Sequence, residues 1–274
     1  MRGGNYGAVK LQAREGRLKV ILTHDIDWPP GGPGLAHILA RRDRFDAPIV
    51  ERVIKEGFNP YNNIRRLMEI EDSHGLRSTF FFRPRYDDGT PISSYADAIK
   101  ELQAQGWEVG AHLNGATSTE SITSERDQIA SVEGRAPIGC RVHYLRLQEQ
   151  SHSYMRRAGF SYDSSVMYSK DKVTSQNSGF LTREGMVVFP ITIMDAYLFT
   201  YMKVPEQKIV DVFNEAVRVC KNRTYMTVLW HDSSLMMIGG RMYGEVCEML
   251  ATREDVDIVT ARDAFLSASA ETRN

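Results

Sequence analysis

Short apolar runs bounded by turn formers recur along this chain and alternate with stretches of helical period, the pattern of an α/β fold built on a parallel sheet. Strands are predicted at Val20-Ile21-Leu22, Ser78-Thr79-Phe80-Phe81-Phe82, the stretch ending Val109-Gly110-Ala111-His112, Gly139-Cys140-Arg141-Val142, Gly159 to Ser165, Met186 to Ile191, Met226 to Trp230, and Asp257-Ile258-Val259. Helices are predicted between them. One starts at Asn59-Pro60 with Ile64, Leu67 and Met68 on its apolar face, and others lie around Ile99 and Leu102, from Thr119 to Val132, and from Ser151 to Ala158. Further on, Ile209, Phe213, Ala216 and Cys220 fall on one helical face, and Glu245 to Leu250 forms a last helix. The breaker-rich segment Pro29-Pro30-Gly31-Gly32-Pro33-Gly34 opens a loop and helix insertion over about residues 28–57. Seven or eight strands with no linker between them predict one domain over 1–274.

Chemistry collects where these strands end. The first runs out through Thr23-His24-Asp25-Ile26-Asp27-Trp28, others end at His112, at Arg141 and His143, and at His231-Asp232. Asp25 and Asp27 are two apart, so an extended segment turns both to one side. Carboxylates packed that densely repel unless a cation or a proton is shared. Strand ends supplying acid, imidazole and guanidinium fit one polar site at the C-terminal face of a parallel sheet or barrel.

Composition narrows the alternatives. A net charge of -1 gives no electrostatic case for nucleic acid or an anionic membrane surface. The interleaved Arg41-Arg42-Asp43-Arg44 reads as a solvated helix face. Three scattered cysteines make no disulfide framework, and Cys220 and Cys247 sit where small buried hydrophobes belong. The start lacks the apolar core of a signal peptide and no run approaches a membrane span, so the chain as given is expected to be cytoplasmic.

In order and placement, the strand exits from about Lys19 to Ala264 resemble the motifs of the polysaccharide deacetylases, carbohydrate esterases with the NodB homology domain. Thr23-His24-Asp25-Ile26-Asp27 is similar to the family's T-F-D-D-G, with the second Asp moved one place. His112 starts the H-[ST]-x-x-H motif, but Ala116 stands where its second His would be. Arg141-Val142-His143-Tyr144 keeps R-x-x-Y, Asp163 suggests the fourth motif, and Leu229-Trp230-His231 meets L-x-H.

The resemblance implies a distorted (β/α) barrel of about seven parallel strands and a metal-dependent hydrolase that removes acetyl groups from a sugar, glycan or glycan precursor. It implies Asp25 as general base, Arg141 as the partner that orients it, and His231 as general acid. Asp27 and His112 are the implied metal ligands, with a third from His143, His24, Asn114 or water. The expected cofactor is a divalent ion, Zn²⁺ first, with other first-row ions open. Trp28, Tyr144 and Trp230 are candidates to stack on sugar, and Asp163 and Asp195 to face it. His37, His74 and His152 are read as structural. Two other readings stay open: hydrolysis of another C–N bond, such as a cyclic ureide, with weak or no metal dependence, and carbohydrate binding without turnover.

Overall fold

The computed structural model describes residues 16–271. Ten strands form one sheet: β1 (Leu18–Ile26), β2 (Thr79–Phe82), β3 (Glu108–Leu113), β4 (Gly139–Val142), β5 (Tyr162–Asp163), β6 (Leu181–Arg183), β7 (Met186–Val188), β8 (Ile191–Met194), β9 (Tyr225–Leu229) and β10 (Val256–Val259). The order is β6-β7-β5-β4-β3-β2-β1-β9-β8, and β10 also pairs with the start of β1. Every pairing is parallel except the β6–β7 hairpin. The end strands share no ladder; Ile191 N–H donates to Val166 O at 2.8 Å and joins that side through a loop. The helices are α1 (Leu35–Leu39), α2 (Ala47–Glu56), α3 (Ile64–Ser73), α4 (Ala96–Ala104), α5 (Thr119–Glu133), α6 (Ser151–Arg157), α7 (Asp195–Thr200), α8 (Ile209–Cys220), α9 (Tyr243–Ala251) and α10 (Ala261–Glu271).

This is the expected distorted barrel with more strands than the expected seven. The run Met186 to Ile191 is two strands rather than one, because Phe189-Pro190 steps out of the ladder between β7 and β8. The hairpin turn at Glu184-Gly185 takes positive φ at both residues (50° and 74°), the twist that matches paired strands, and it adds β6.

Alternation along β1 divides the molecule. Val20, Leu22 and Ile26 point outward into the large core shared with the helices, while Ile21 packs inside the barrel with Phe81, Tyr162 and Tyr225. Burying aromatic rings of this size contributes about 1.5–3 kcal/mol each. The rings need space that side chains would take: a Cβ at Gly139 would lie 1.8 Å from the Tyr162 ring, and one at Gly110 2.6 Å from Phe81. Ala261, Ala264 and Ala268 of α10 close the barrel floor. There Glu108 accepts from Tyr162 Oη (2.7 Å), Thr79 Oγ1 (2.8 Å) and the Arg262 N–H (2.7 Å), satisfying a buried carboxylate and seating the first turn of α10. With the floor sealed, the reactive face is the opposite rim.

The insertion covers part of that rim. Ile38, Phe45, Val53, Tyr61 and Met237 form its own small core, and Arg241 ties it down by pairing with both Asp46 and Glu206. The Trp28 ring belongs to this cluster, 4.7 Å from the His37 ring and 5.9 Å from Tyr61. Among the described residues no helix is long and apolar enough to cross a membrane.

Candidate active site

Asp25 is the inward residue at the end of β1, and the register that sets it beside Phe81 also brings it opposite β4 across the barrel mouth. Arg141, fully buried on β4, reaches over to it: Nη1 donates to Asp25 Oδ1 at 2.8 Å and to Thr23 Oγ1 at 3.0 Å. Its other nitrogens donate to Ser164, Nε to the carbonyl at 2.7 Å and Nη2 to Oγ at 2.8 Å, so the guanidinium is fixed on both sides. Burial pushes the Asp25 carboxyl up, but Arg141 first, then His112 and His231, outweigh it and leave the acid below its ordinary range.

Asp27, just beyond the strand, faces two imidazoles. Its Oδ1 lies 3.1 Å from His112 Nε2 and 3.3 Å from His143 Nδ1, and those two nitrogens are 3.1 Å apart. Three vertices of a tetrahedron with bonds of about 2.0 Å are separated by roughly 3.3 Å, so two nitrogens and a carboxylate oxygen stand as a tetrahedral cation would hold them. This is the group of His, Cys, Asp and Glu among the described residues whose donor atoms lie within metal-binding reach of one another. His112 Nδ1 donates to Arg141 O at 3.0 Å, which leaves the Nε2 lone pair for the cluster. Burial raises the Asp27 carboxyl, yet the His112 and His143 rings at hydrogen-bonding distance and the charge of His231 hold it well below the usual range.

On the other side of Asp27 stands His231, its Nε2 3.7 Å from Asp27 Oδ2. Asp195 grips it twice: Oδ1 accepts from His231 Nδ1 at 2.7 Å and Oδ2 from the His231 backbone N–H at 2.8 Å. Burial alone would lower the imidazole's pKa; Asp195 foremost, with Asp27 and Asp25, raises it to about 10. An ionised carboxylate, a candidate cation site and a protonated imidazole therefore converge within a few ångströms. Asp27 and His231 line a cleft of about 460 Å³ together with Arg44, Phe199, Met237 and Ile238.

No protein-family model matches the chain, and no curated protein matches it. Solved structures do. A Mycobacterium smegmatis protein assigned as a polysaccharide deacetylase is 17% identical, with a TM-score of 0.67 over 96% of this chain and 94% of that one. The chain has the polysaccharide deacetylase fold. The Puue allantoinase is similar at 13% identity and a TM-score of 0.65, over 93% of this chain and 91% of that one. A Pseudomonas aeruginosa PAO1 protein assigned as a polysaccharide deacetylase follows at 14% and 0.61, over 93% and 92%.

On this deacetylase fold, Asp25, Asp27, His112, Arg141, His143 and His231 come together, and several other expected residues do not. Trp230 is fully buried against Phe199, Phe213 and Tyr243, and cannot offer a face to sugar, because the alternation that turns His231 inward turns its neighbour outward. Trp28 is committed to the insertion's core. Asp163 is buried and occupied by His152 (3.1 Å), the Ser165 N–H and the Ser165 hydroxyl, so it braces the β5 exit rather than touching substrate. Asp195 is equally buried and acts behind His231. Neither His24 nor Asn114 is a third ligand: His24 points outward to Glu71, and Asn114 accepts from Arg83 Nε at 2.7 Å and donates to Arg85 O. Tyr144 is 66% exposed, with its ring 3.9 Å from that of His143 and the Arg146 guanidinium 4.6 Å from its centre.

Sequence reasoning missed Ser164, which clamps Arg141, and Ser234, whose hydroxyl donates to Asp195. Ser164 had a signal: it follows a two-residue strand at the same exit level as Arg141. Arg44, read as a solvated face, lines the cleft because the insertion folds back and donates no such signal locally.

Proposed function

We propose that this chain is a metal-dependent hydrolase that removes the acetyl group from the nitrogen of an acetylated sugar or glycan. The observation that carries the reading is the donor triangle of Asp27, His112 and His143, set between an ionised acid on one side and a protonated imidazole on the other. A divalent cation on those donors, Zn²⁺ as first choice, would polarise the acetyl carbonyl and acidify a bound water. Asp25 takes the proton from the attacking water, and Arg141 keeps that carboxylate ionised and aimed. His231 donates a proton to the departing nitrogen, and Asp195 holds it in the tautomer that can do so. The likeness to deacetylases of polysaccharide and peptidoglycan supports a carbohydrate substrate.

Acetate release from N-acetylglucosamine oligomers by zinc-loaded protein, abolished by a chelator and by Asp25→Asn, is the expected result. Absence of acetate from every N-acetylated sugar tested, with metal bound, refutes the reading. A second reading, opening of a cyclic amide, draws on the allantoinase likeness and on Ala116 in place of the second motif histidine. Turnover of allantoin that survives the chelator would favour it.

A further inference from the structure

His24 lies one residue from the proposed base yet faces away from the cleft, in a fully buried network the mechanism does not use. Its Nε2 is 2.7 Å from Glu71 Oε1, and its Nδ1 is 2.6 Å from the Trp230 carbonyl oxygen. Glu71 also accepts from Tyr243 Oη at 2.7 Å, Ser78 Oγ at 2.8 Å and Trp107 Nε1 at 2.6 Å, so it is surrounded by donors. A carboxylate so placed only accepts, as does a carbonyl, and both His24 ring nitrogens therefore carry protons. The buried acid of α3 and the ring on β1 form an ion pair, and its second arm ends at Trp230, one residue past β9.

That arm ends at a particular peptide unit. The carbonyl His24 holds is that of Trp230, and the N–H of the same unit belongs to His231 and donates to Asp195 Oδ2 at 2.8 Å. The peptide plane before His231 is thus gripped at both ends by charged, buried side chains. A peptide unit moves as a rigid plate, so holding both its polar ends fixes the N–Cα axis of His231, and the hydrogen bond from its ring to Asp195 then fixes the rotation of the residue about that axis. We propose that His24 is a positioning residue for His231: by holding the Trp230 carbonyl it sets the aim of the imidazole at the cleft. This inference rests on the role given to His231 above.

Two near-isosteric substitutions separate this role from simple packing. An asparagine amide nitrogen falls where His Nδ1 was and keeps the donor to Trp230; a glutamine amide nitrogen falls where Nε2 was and keeps the donor to Glu71 only. We expect His24→Gln to lower kcat about ten- to a hundredfold with KM within about twofold, the scale of a misaimed catalytic group, and His24→Asn to retain most of kcat. In ¹⁵N-histidine-labelled protein the His231 Nδ1–H resonance should persist in His24→Asn and be lost or displaced in His24→Gln. A role in packing alone predicts the reverse order, since asparagine leaves the larger void. Equal kcat and equal resonances in the two variants overturn the proposal. Should His24→Gln not fold, His24→Phe, which also lacks the donor to Trp230, takes its place with the same expectations. If the wild type hydrolyses no substrate, the functional reading fails, and the resonance comparison still decides the clamp.

Discussion

Asp195→Asn tests the electrostatics of the site most directly. Asp195 meets donors at every side: Oδ1 accepts from His231 Nδ1 (2.7 Å) and Ala196 N–H (2.6 Å), and Oδ2 from His231 N–H (2.8 Å) and the Ser234 hydroxyl. An amide in either orientation turns its NH₂ toward two of those donors and removes the anion opposite a buried imidazolium. Breaking such a pair on one side costs about 3–5 kcal/mol. The shift of His231 from 6.5 to about 10, at about 1.4 kcal/mol per unit, gives the same order of magnitude. The sign follows from the direction of the shift. A folded-state pKa raised above the unfolded value contributes stability that is complete below about pH 6.5 and is lost as pH rises through about 10. Urea denaturation of both proteins at pH 6, 8 and 10.5 should therefore show a difference of about 3–5 kcal/mol at pH 6 that falls by at least half at pH 10.5. Groups common to both proteins titrate equally and cancel. A difference that does not change with pH refutes the ion pair and leaves Asp195 a packing residue.

Two further outcomes follow from the same geometry. His143→Ala should lower bound zinc at least tenfold by elemental analysis, since even outer-sphere partners change affinity 10 to 100-fold, and unchanged stoichiometry would remove His143 from the triangle. Asp232→Asn should stabilise the protein by about 1 kcal/mol or more at pH 8 in urea titrations, because burial, with the nearby charge of Asp27 adding to it, raises that carboxyl far above its ordinary range and its Oδ1 has no hydrogen-bond partner among the described residues. The folded state then holds a proton the unfolded chain releases above about pH 4, a cost that an amide does not carry, and a destabilised variant at that pH would contradict it.

Much of this site was legible because period-2 alternation is rigid. Asp25, His112, Arg141 and His231 all sit at inward positions on strands whose apolar runs are plain in the sequence, so their convergence followed once the sheet was parallel. Trp230 stands as a sugar-stacking candidate only until the same alternation is applied to it, which turns Trp230 away where His231 points in. What the chain did not display is depth. Asp163 and Asp195 lie at strand exits like the candidate reactive groups, but both are buried, Asp163 against His152 of α6 and the Ser165 turn and Asp195 against His231 and Ser234 from well along the chain. Of the short strands, β5 lies within the predicted run Gly159 to Ser165, whereas β6, three residues long, is too brief for any periodicity to declare it.

In the proposed metal site, His143 supplies the donor that the family motif would place at Ala116. Ala116, where the resemblance calls for a second histidine, is buried in the outer core, and its carbonyl accepts from Ser151 Oγ at 2.9 Å; nothing there faces the cleft. The register pairs His112 with Arg141, so a residue two beyond Arg141 on the neighbouring strand lies on the same inward face, one step nearer the rim. That residue is His143. Tyr144 and Leu145 follow it with φ of 57° and 56°, a left-handed pair that turns the chain sharply and lays the Tyr144 ring over the imidazole. Such conformations cost non-glycine residues of order 1–3 kcal/mol each and persist where the surroundings enforce them. Adjacent parallel strands are closer than the span of two imidazoles, so a donor lost from one strand's exit can be supplied by its neighbour without moving Asp27 or His112. The left-handed turn after His143 keeps the Tyr144 ring against the imidazole at the exit of β4, so relieving it with Tyr144→Gly should loosen His143 and weaken zinc binding on the proposed site.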